Sequence, residues 1–280
     1  MRTTIYYFSG SGNSLFIARE LQKRAPDSSL VPMVSLLHQE HIMAESEIVG
    51  FVFPVHCTTL PVPVKEFLTK LDVTSTHYLF VLVTQGGAWP RLVELHLEQM
   101  INEKGKCLNA FFSLKMPWAS PVGLMPVYIP GLIDYPQSKE KILELDTAAQ
   151  KKLDSIQSVI REQKSGPKDD FPRSINLSVK RVVCKLMGPA TQELEKNNVD
   201  FYADADCTGC GLCEQVCLSR KIKMVEGEPV WQEEVQCYFC YACFNFCPLQ
   251  SVMVRGIYAK KGERYRHPHV TAAEIGLQKK

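Results

Sequence analysis

The chain's apolar positions fall into runs before they fall into stripes. Thr3-Thr4-Ile5-Tyr6-Tyr7-Phe8 is β-rich, and Ile48–Phe53 and Tyr78–Thr84 are continuous apolar runs of strand length. Lys106–Lys115 supplies a further strand. Between them the period lengthens to that of helices. Leu15–Arg24 carries Leu15, Ala18 and Leu21 on one stripe, with Lys23 and Arg24 in its last turn. Pro63–Leu71 and Pro90–Lys104 read as helices, and Lys141–Glu162 lines up Leu145, Ala149, Leu153, Ile156 and Ile160. Strands alternating with helices predict an α/β domain over 1–162, built on a parallel sheet.

Other stretches break this pattern. Met116–Pro136 holds five prolines among apolar residues, including Trp118, Tyr128 and Ile129. A long irregular segment of this kind is often functional, and here it would cover a site or touch a second module. Gln163–Arg173, rich in charge, Gly and Pro, reads as a linker, and Ile175–Met187 as a basic amphipathic helix ended by Gly188-Pro189. The stretch 163–199 is therefore expected to bridge two domains. Lys221–Val225 and Pro229–Trp231 flank Glu226-Gly227-Glu228 as a hairpin within a small domain over 200–257, and 258–280 reads as a polar tail.

Composition changes this picture in one respect. The chain has 280 residues, 45% of them hydrophobic, and a net charge of +2, which points to no nucleic-acid or membrane-surface partner. The opening apolar run is too short for a signal segment, and no stretch reaches the length of a membrane helix, so the expectation is a cytoplasmic protein. Eleven cysteines, however, are many for a reducing compartment, and they point to metal or redox chemistry.

Eight of them form two runs, Cys207-x2-Cys210-x2-Cys213-x3-Cys217 and Cys237-x2-Cys240-x2-Cys243-x3-Cys247, each cysteine repeating 30 residues later. Three thiols at this spacing wrap one face of a 4Fe–4S cubane, and the fourth reaches the neighbouring one. The assignment is Cys207, Cys210, Cys213 and Cys247 for one cluster, and Cys237, Cys240, Cys243 and Cys217 for the other. Zinc, which takes paired CxxC knuckles, fits this spacing poorly. The region resembles the bacterial two-cluster ferredoxins. Pro248 follows the last cysteine as in that family, whereas Leu218 stands where the first run would have proline. Tyr238, Phe239, Tyr241, Phe244 and Phe246 would shield the clusters from water. Cys107 and Cys184 are expected in the core.

Ser9-Gly10-Ser11-Gly12-Asn13-Ser14 joins the first strand to the first helix. Such a loop is an anion cradle, its backbone N–H groups and hydroxyls converging on one phosphate. It lacks the GK-Ser/Thr of a triphosphate loop, has Leu15 where a dinucleotide loop has its third glycine, and carries no basic residue. The six residues resemble the phosphate loop of flavodoxins, which bind FMN. That resemblance implies a five-stranded parallel sheet of order 2-1-3-4-5. It also implies a ring site between Pro54-Val55-His56-Cys57 and Thr84-Gln85-Gly86-Gly87, with Trp89 as a second wall or a helix cap. His56, where flavodoxins place an aromatic residue, either meets the ring or is a solvated loop residue; Cys57 reads as a small structural thiol.

The chain as a whole resembles flavodoxin–ferredoxin fusion proteins. That likeness implies FMN, two 4Fe–4S clusters and redox donor and acceptor proteins as partners. The function it implies is a low-potential electron relay, for which a flavin-dependent reductase fed by the clusters and a redox sensor are the alternatives.

Overall fold

The computed structural model describes residues 2–56, 59–87, 90–121, 137–165, 200–256 and 261–280. Five parallel strands form its main sheet: β1 (Thr3–Tyr7), β2 (Ser28–Pro32), β3 (Ile48–Pro54), β4 (Tyr78–Gln85) and β5 (Ala110–Lys115). Their spatial order is 2-1-3-4-5, the order of the flavodoxin-like α/β fold, as the sequence predicts. β3 and β4 pair in register from Ile48 opposite Tyr78 to Pro54 opposite Thr84. Both are buried along almost their whole length, which is why their sequences run apolar instead of alternating. Phe51, Phe53, Phe80 and Phe111 are fully buried, each contributing on the order of 1.5–3 kcal/mol.

The flanking helices are α1 (Asn13–Arg24), α2 (Val62–Lys70), α3 (Pro90–Asn102) and α4 (Lys139–Arg161). All five positions of the stripe expected on α4 are buried, and Ser138 caps its start by accepting the Lys141 N–H. The second strand, Ser28–Pro32, has one buried residue of five and leaves little apolar signal. The fifth begins at Ala110, not Lys106. Cys107, expected in the core, is exposed in the segment leading to it. Cys57, Trp89, most of the proline-rich segment (122–136) and the predicted helix at 175–187, with Cys184, lie outside the described residues.

The second body repeats one unit twice. β6 (Phe201–Ala203) pairs with β9 (Val252–Val254), and β7 (Ile222–Val225) forms a hairpin with β8 (Glu228–Trp231). Two short helices, α5 (Leu212–Val216) and α6 (Ala242–Phe246), stand 30 residues apart. The duplication extends to the backbone. Left-handed residues recur at the same offset, Gly209 with Phe239, Gly211 with Tyr241, Arg220 with Gln250 and Glu226 with Gly256. The first copy uses glycine where the second places Phe239 and Tyr241, at a cost of about 1–2 kcal/mol for each of these.

The two bodies share a core. The hydrophobic cluster around the sheet continues without a break into Val216, Leu218, Ala242 and Phe246 of the cysteine module and into Val270 and Ile275. The last two belong to the stretch read as a polar tail. It contains α7 (Ala272–Leu277), fixed by a reciprocal capping box between Thr271 and Glu274, and it buries His267 and Gln278 completely. Among the described residues no helix is long and apolar enough to cross a membrane.

Candidate functional site

At the carboxyl end of β1 the sheet's winding reverses between β2 and β3, and there the loop 9–14 opens. Ser9, Gly10, Gly12, Asn13 and Ser14 are buried and Ser11 is partly exposed. Gly12, at φ 100°, is the N-cap of α1 and supplies no side chain to the first-turn N–H groups. The Ser14 hydroxyl pairs with that of Thr84 at 2.8 Å, joining the first loop to the end of β4. Among the described residues, two buried oxygens near this crevice have no hydrogen-bond partner, Ser9 Oγ and Gln85 Oε1. Buried polar atoms are rarely left unpaired. Both belong to residues the sequence assigns to the flavin: the Ser9 hydroxyl can donate to a phosphate, and Gln85 Oε1 can accept from an N–H of a polar ring edge.

The second and third loops leave the same edge. Val55 N–H donates to Thr84 O at 2.9 Å, and His56 and Thr59 exchange backbone hydrogen bonds. Burial lowers the His56 pKa to about 4, so near neutral pH the imidazole is an uncharged donor and acceptor. Its ring meets Phe8 edge-on at 6.1 Å. Gly86 sits under Trp118, whose Cε3 would come within 2.8 Å of a Cβ there. The proline-rich segment thus covers the third loop, at least through its first residues.

The cysteine module lies directly on this edge. A Cβ on Gly10 would stand 2.0 Å from Cys240 O and 2.8 Å from Cys240 Cβ, so only glycine allows the two backbones this close. Tyr238 also meets Phe8, edge-on at 6.4 Å. Asn245 Nδ2 donates to Ala119 O at 2.7 Å.

Within the module the thiols are free. Burial, then the Cys207 and Cys210 thiolates, push the Cys213 thiol up to about 11. Cys217 acts instead on Cys237, Cys240 and Cys243, raising each after the larger effect of burial. Cys217 of the first run thus lies near the first three cysteines of the second. Cys213 also acts on Cys243, which brings the two sets side by side. Backbone N–H groups point at two sulfurs, Phe239 N to Cys237 at 3.4 Å and Ser251 N to Cys247 at 3.2 Å. Phe244 and Phe246 are buried against the module, while Tyr238, Phe239 and Tyr241 are partly exposed. Cys207 and Cys210 are exposed, and Gly209 packs against Gly227 O of the hairpin. Among the described residues no three His, Cys, Asp or Glu side chains meet at a single-ion site. A cubane bonds each cysteine to a different iron and asks for no such meeting point.

Several residues that build the site left no readable motif. Gln278 Oε1 accepts from Ser9 N at 3.0 Å and its Nε2 donates to Ser9 O at 2.8 Å, so its amide clamps the start of the loop. Tyr265 OH donates to Asn13 Oδ1 at 2.9 Å while Asn13 Nδ2 donates to Pro117 O at 2.9 Å. His267 N donates to Ser11 O, and the His267 ring stacks on Phe16 at a centroid distance of 4.0 Å. Arg19 and Glu274 pair at 2.8 Å. The sequence signal for this latch was limited to the capping pattern Thr271-x-x-Glu274.

No protein-family model matches the chain, and no curated protein matches it. Solved structures with which it aligns include Flavodoxin 2 from Bacillus cereus, at 18% identity over 58% of this chain and 99% of that one, TM-score 0.34. A flavodoxin from the domain Archaea aligns at 13% identity over 56% and 99%, TM-score 0.30. The rubredoxin oxygen:oxidoreductase of Desulfovibrio gigas aligns at 15% identity over 58% and 36%, TM-score 0.32.

Proposed function

We propose that the chain is an iron–sulfur flavoprotein that relays electrons between FMN, held at the loops 9–14, 54–57 and 84–87, and two 4Fe–4S clusters held by the crossed cysteine sets. The observation that carries this reading is the contact of Gly10 with the Cys240 backbone: one set of thiols abuts the phosphate loop. When bound, FMN supplies exchange between two-electron and one-electron transfer, and each cluster carries one electron.

The chain's own residues provide position and environment. Ser9, Ser11, Ser14 and the uncapped first turn of α1 bind a phosphate with no basic residue in the loop itself, which keeps the ring site hard to reduce. His56 and Gln85 offer uncharged hydrogen-bonding groups at the ring. Phe8, Tyr238, Phe244 and Phe246 exclude water from the path. Cys217 is buried and Cys237, Cys240 and Cys243 are partly buried, whereas Cys207 and Cys210 lie at the surface, where a redox protein can approach.

Anaerobic purification followed by iron, sulfide and flavin analysis tests this. About eight irons and one flavin per chain, reduced together in a titration, are expected. Ser9→Ala should weaken FMN binding about tenfold or more by removing a bond to a charged group. Iron without flavin would leave the sheet domain a scaffold, and bound zinc would end the cluster reading. A second reading, a flavin-dependent reductase, is favoured by Trp118 lying over Gly86, since a covered ring site suits a bound substrate. A substrate that quenches the reduced flavin of the isolated chain without any partner protein would establish it.

A further inference from the structure

The short helices α5 and α6 each lie within a cysteine run. Helices of one turn have little stability of their own, so the bonds at their ends must hold them. Midway between Cys213 and Cys217 stands Gln215, and midway between Cys243 and Cys247 stands Asn245, its equivalent in the repeat. By the crossed assignment, the cysteines on either side of each belong to different clusters. Both positions touch parts of the chain that hold the phosphate loop.

Asn245 is 4% exposed. Its Oδ1 accepts from Tyr265 N at 3.3 Å, and its Nδ2 donates to Ala119 O at 2.7 Å. The buried Asn13, near the end of the loop, uses its amide in the same way. Its Oδ1 accepts from Tyr265 OH and its Nδ2 donates to Pro117 O, both at 2.9 Å. Tyr265 and the stretch 117–119 therefore each bridge the same two amides, one on α6 and one in the loop, and the bonds close into a ring. Gln215 serves the other end. A Cβ on Gly276 would come within 2.8 Å of Gln215 O, so α7 packs against α5 through a glycine. Ile275, beside it, shares the core with Val216 and Leu218. Two residues beyond Gly276, the Gln278 amide holds both backbone groups of Ser9.

Resting on the flavin and cluster reading above, we infer that Asn245 and Gly276 are positioning residues through which the two cluster helices grip both ends of the phosphate loop, so that cluster assembly and FMN retention reinforce each other. A loop already fixed at Ser9 and Asn13 pays less ordering entropy when a phosphate enters it. Removing the iron removes the bonds that hold α5 and α6, and both grips loosen. Linkage makes the effect reciprocal: whatever the clusters add to FMN affinity, FMN adds to the hold on the clusters. The chain then keeps its flavin where the one-electron carriers are in place and releases it where they are not.

Two measurements on the anaerobically prepared full chain test the inference. Calorimetric titration with FMN gives its Kd before and after a chelator strips the iron, and stripping should raise Kd by a factor between about 5 and 150. Iron release to the chelator, followed with and without saturating FMN, needs no stripped chain, and FMN should slow it. Asn245→Leu fills the same space without either hydrogen bond. It should keep about eight irons per chain but bring the two Kd values closer together. Gly276→Ala, which pushes α7 off Gln215 O, should do the same from the other end. Equal Kd values in loaded and stripped wild-type chain, iron release indifferent to FMN, or an unchanged ratio of Kd values in both variants would overturn the inference. A wild-type chain that takes up iron but no FMN, or FMN but no iron, would instead overturn the relay reading on which it rests.

Discussion

Gly10→Ala puts the junction between the two bodies under direct test. The added methyl would lie 2.0 Å from Cys240 O and 2.8 Å from the Cys240 carbonyl carbon and Cβ. A carbon–oxygen contact relaxes near roughly 3.3 Å, so one backbone must withdraw by about 1.3 Å. Neither can do so cheaply. Gly10 lies between Ser9, clamped by Gln278, and Ser11, bound through its carbonyl to His267 N. Cys240 lies in the shared core beside Ala242 and Phe246. Overpacking of this kind costs about 1–3 kcal/mol, which at about 2–4 °C per kcal/mol lowers Tm by about 2–12 °C. Thermal unfolding of the full chain measures the loss. Hydrogen exchange should show it as reduced protection at both 8–14 and 238–246, with 221–231 unaffected. Ser11→Ala, in the same loop but without this contact, is the control. A Gly10→Ala protein with the wild-type Tm and exchange pattern would mean that the two backbones do not meet, and the proximity argument for the relay would fall with it.

Gln278→Ala leaves Ser9 N–H and C=O without their buried partners and should cost about 1–3 kcal/mol, seen as a lower denaturant midpoint at constant slope. Cys217→Ser should halve the iron content, to about four per chain, and remove the signals of the Cys237, Cys240 and Cys243 set, because the crossed assignment places it there; Cys107→Ser should retain all the iron. The His56 pKa is held at about 4 in the folded protein against an ordinary 6.5, so the unfolded chain binds the extra proton between these values. Its contribution to stability is complete above about pH 6.5 and is lost as the pH falls towards 4, and His56→Gln should flatten that part of a stability-versus-pH curve.

The elements legible in the sequence were those whose signal is local. β3 and β4 announced themselves as unbroken apolar runs, and α4 as a regular stripe whose five positions are all buried. The cysteine runs were legible as a 30-residue repeat, and the two short helices and the left-handed residues recur at that offset. What stayed hidden depends on distant partners. Gln278, Tyr265 and His267 are polar residues in a polar stretch, and each owes its burial to atoms more than 250 positions away in the chain. Cys107 misled for a related reason: free cysteines are usually buried, but the strand it was assigned to starts only at Ala110. The residue types of Phe239 and Tyr241 gave no hint of left-handed backbone; the signal lay in the 30-residue repeat, which sets them opposite Gly209 and Gly211.

The Gln278 clamp on Ser9 spans 269 positions, and that span has a consequence for biosynthesis. A ribosome makes the sheet first, yet the amide that completes its loop follows Ser9 by 269 positions. The nascent sheet must wait through synthesis of the whole cysteine module with Ser9 unclamped. Cofactor loading into a half-finished cradle and its later closure then become separate events in time, ordered by the direction in which the messenger is read.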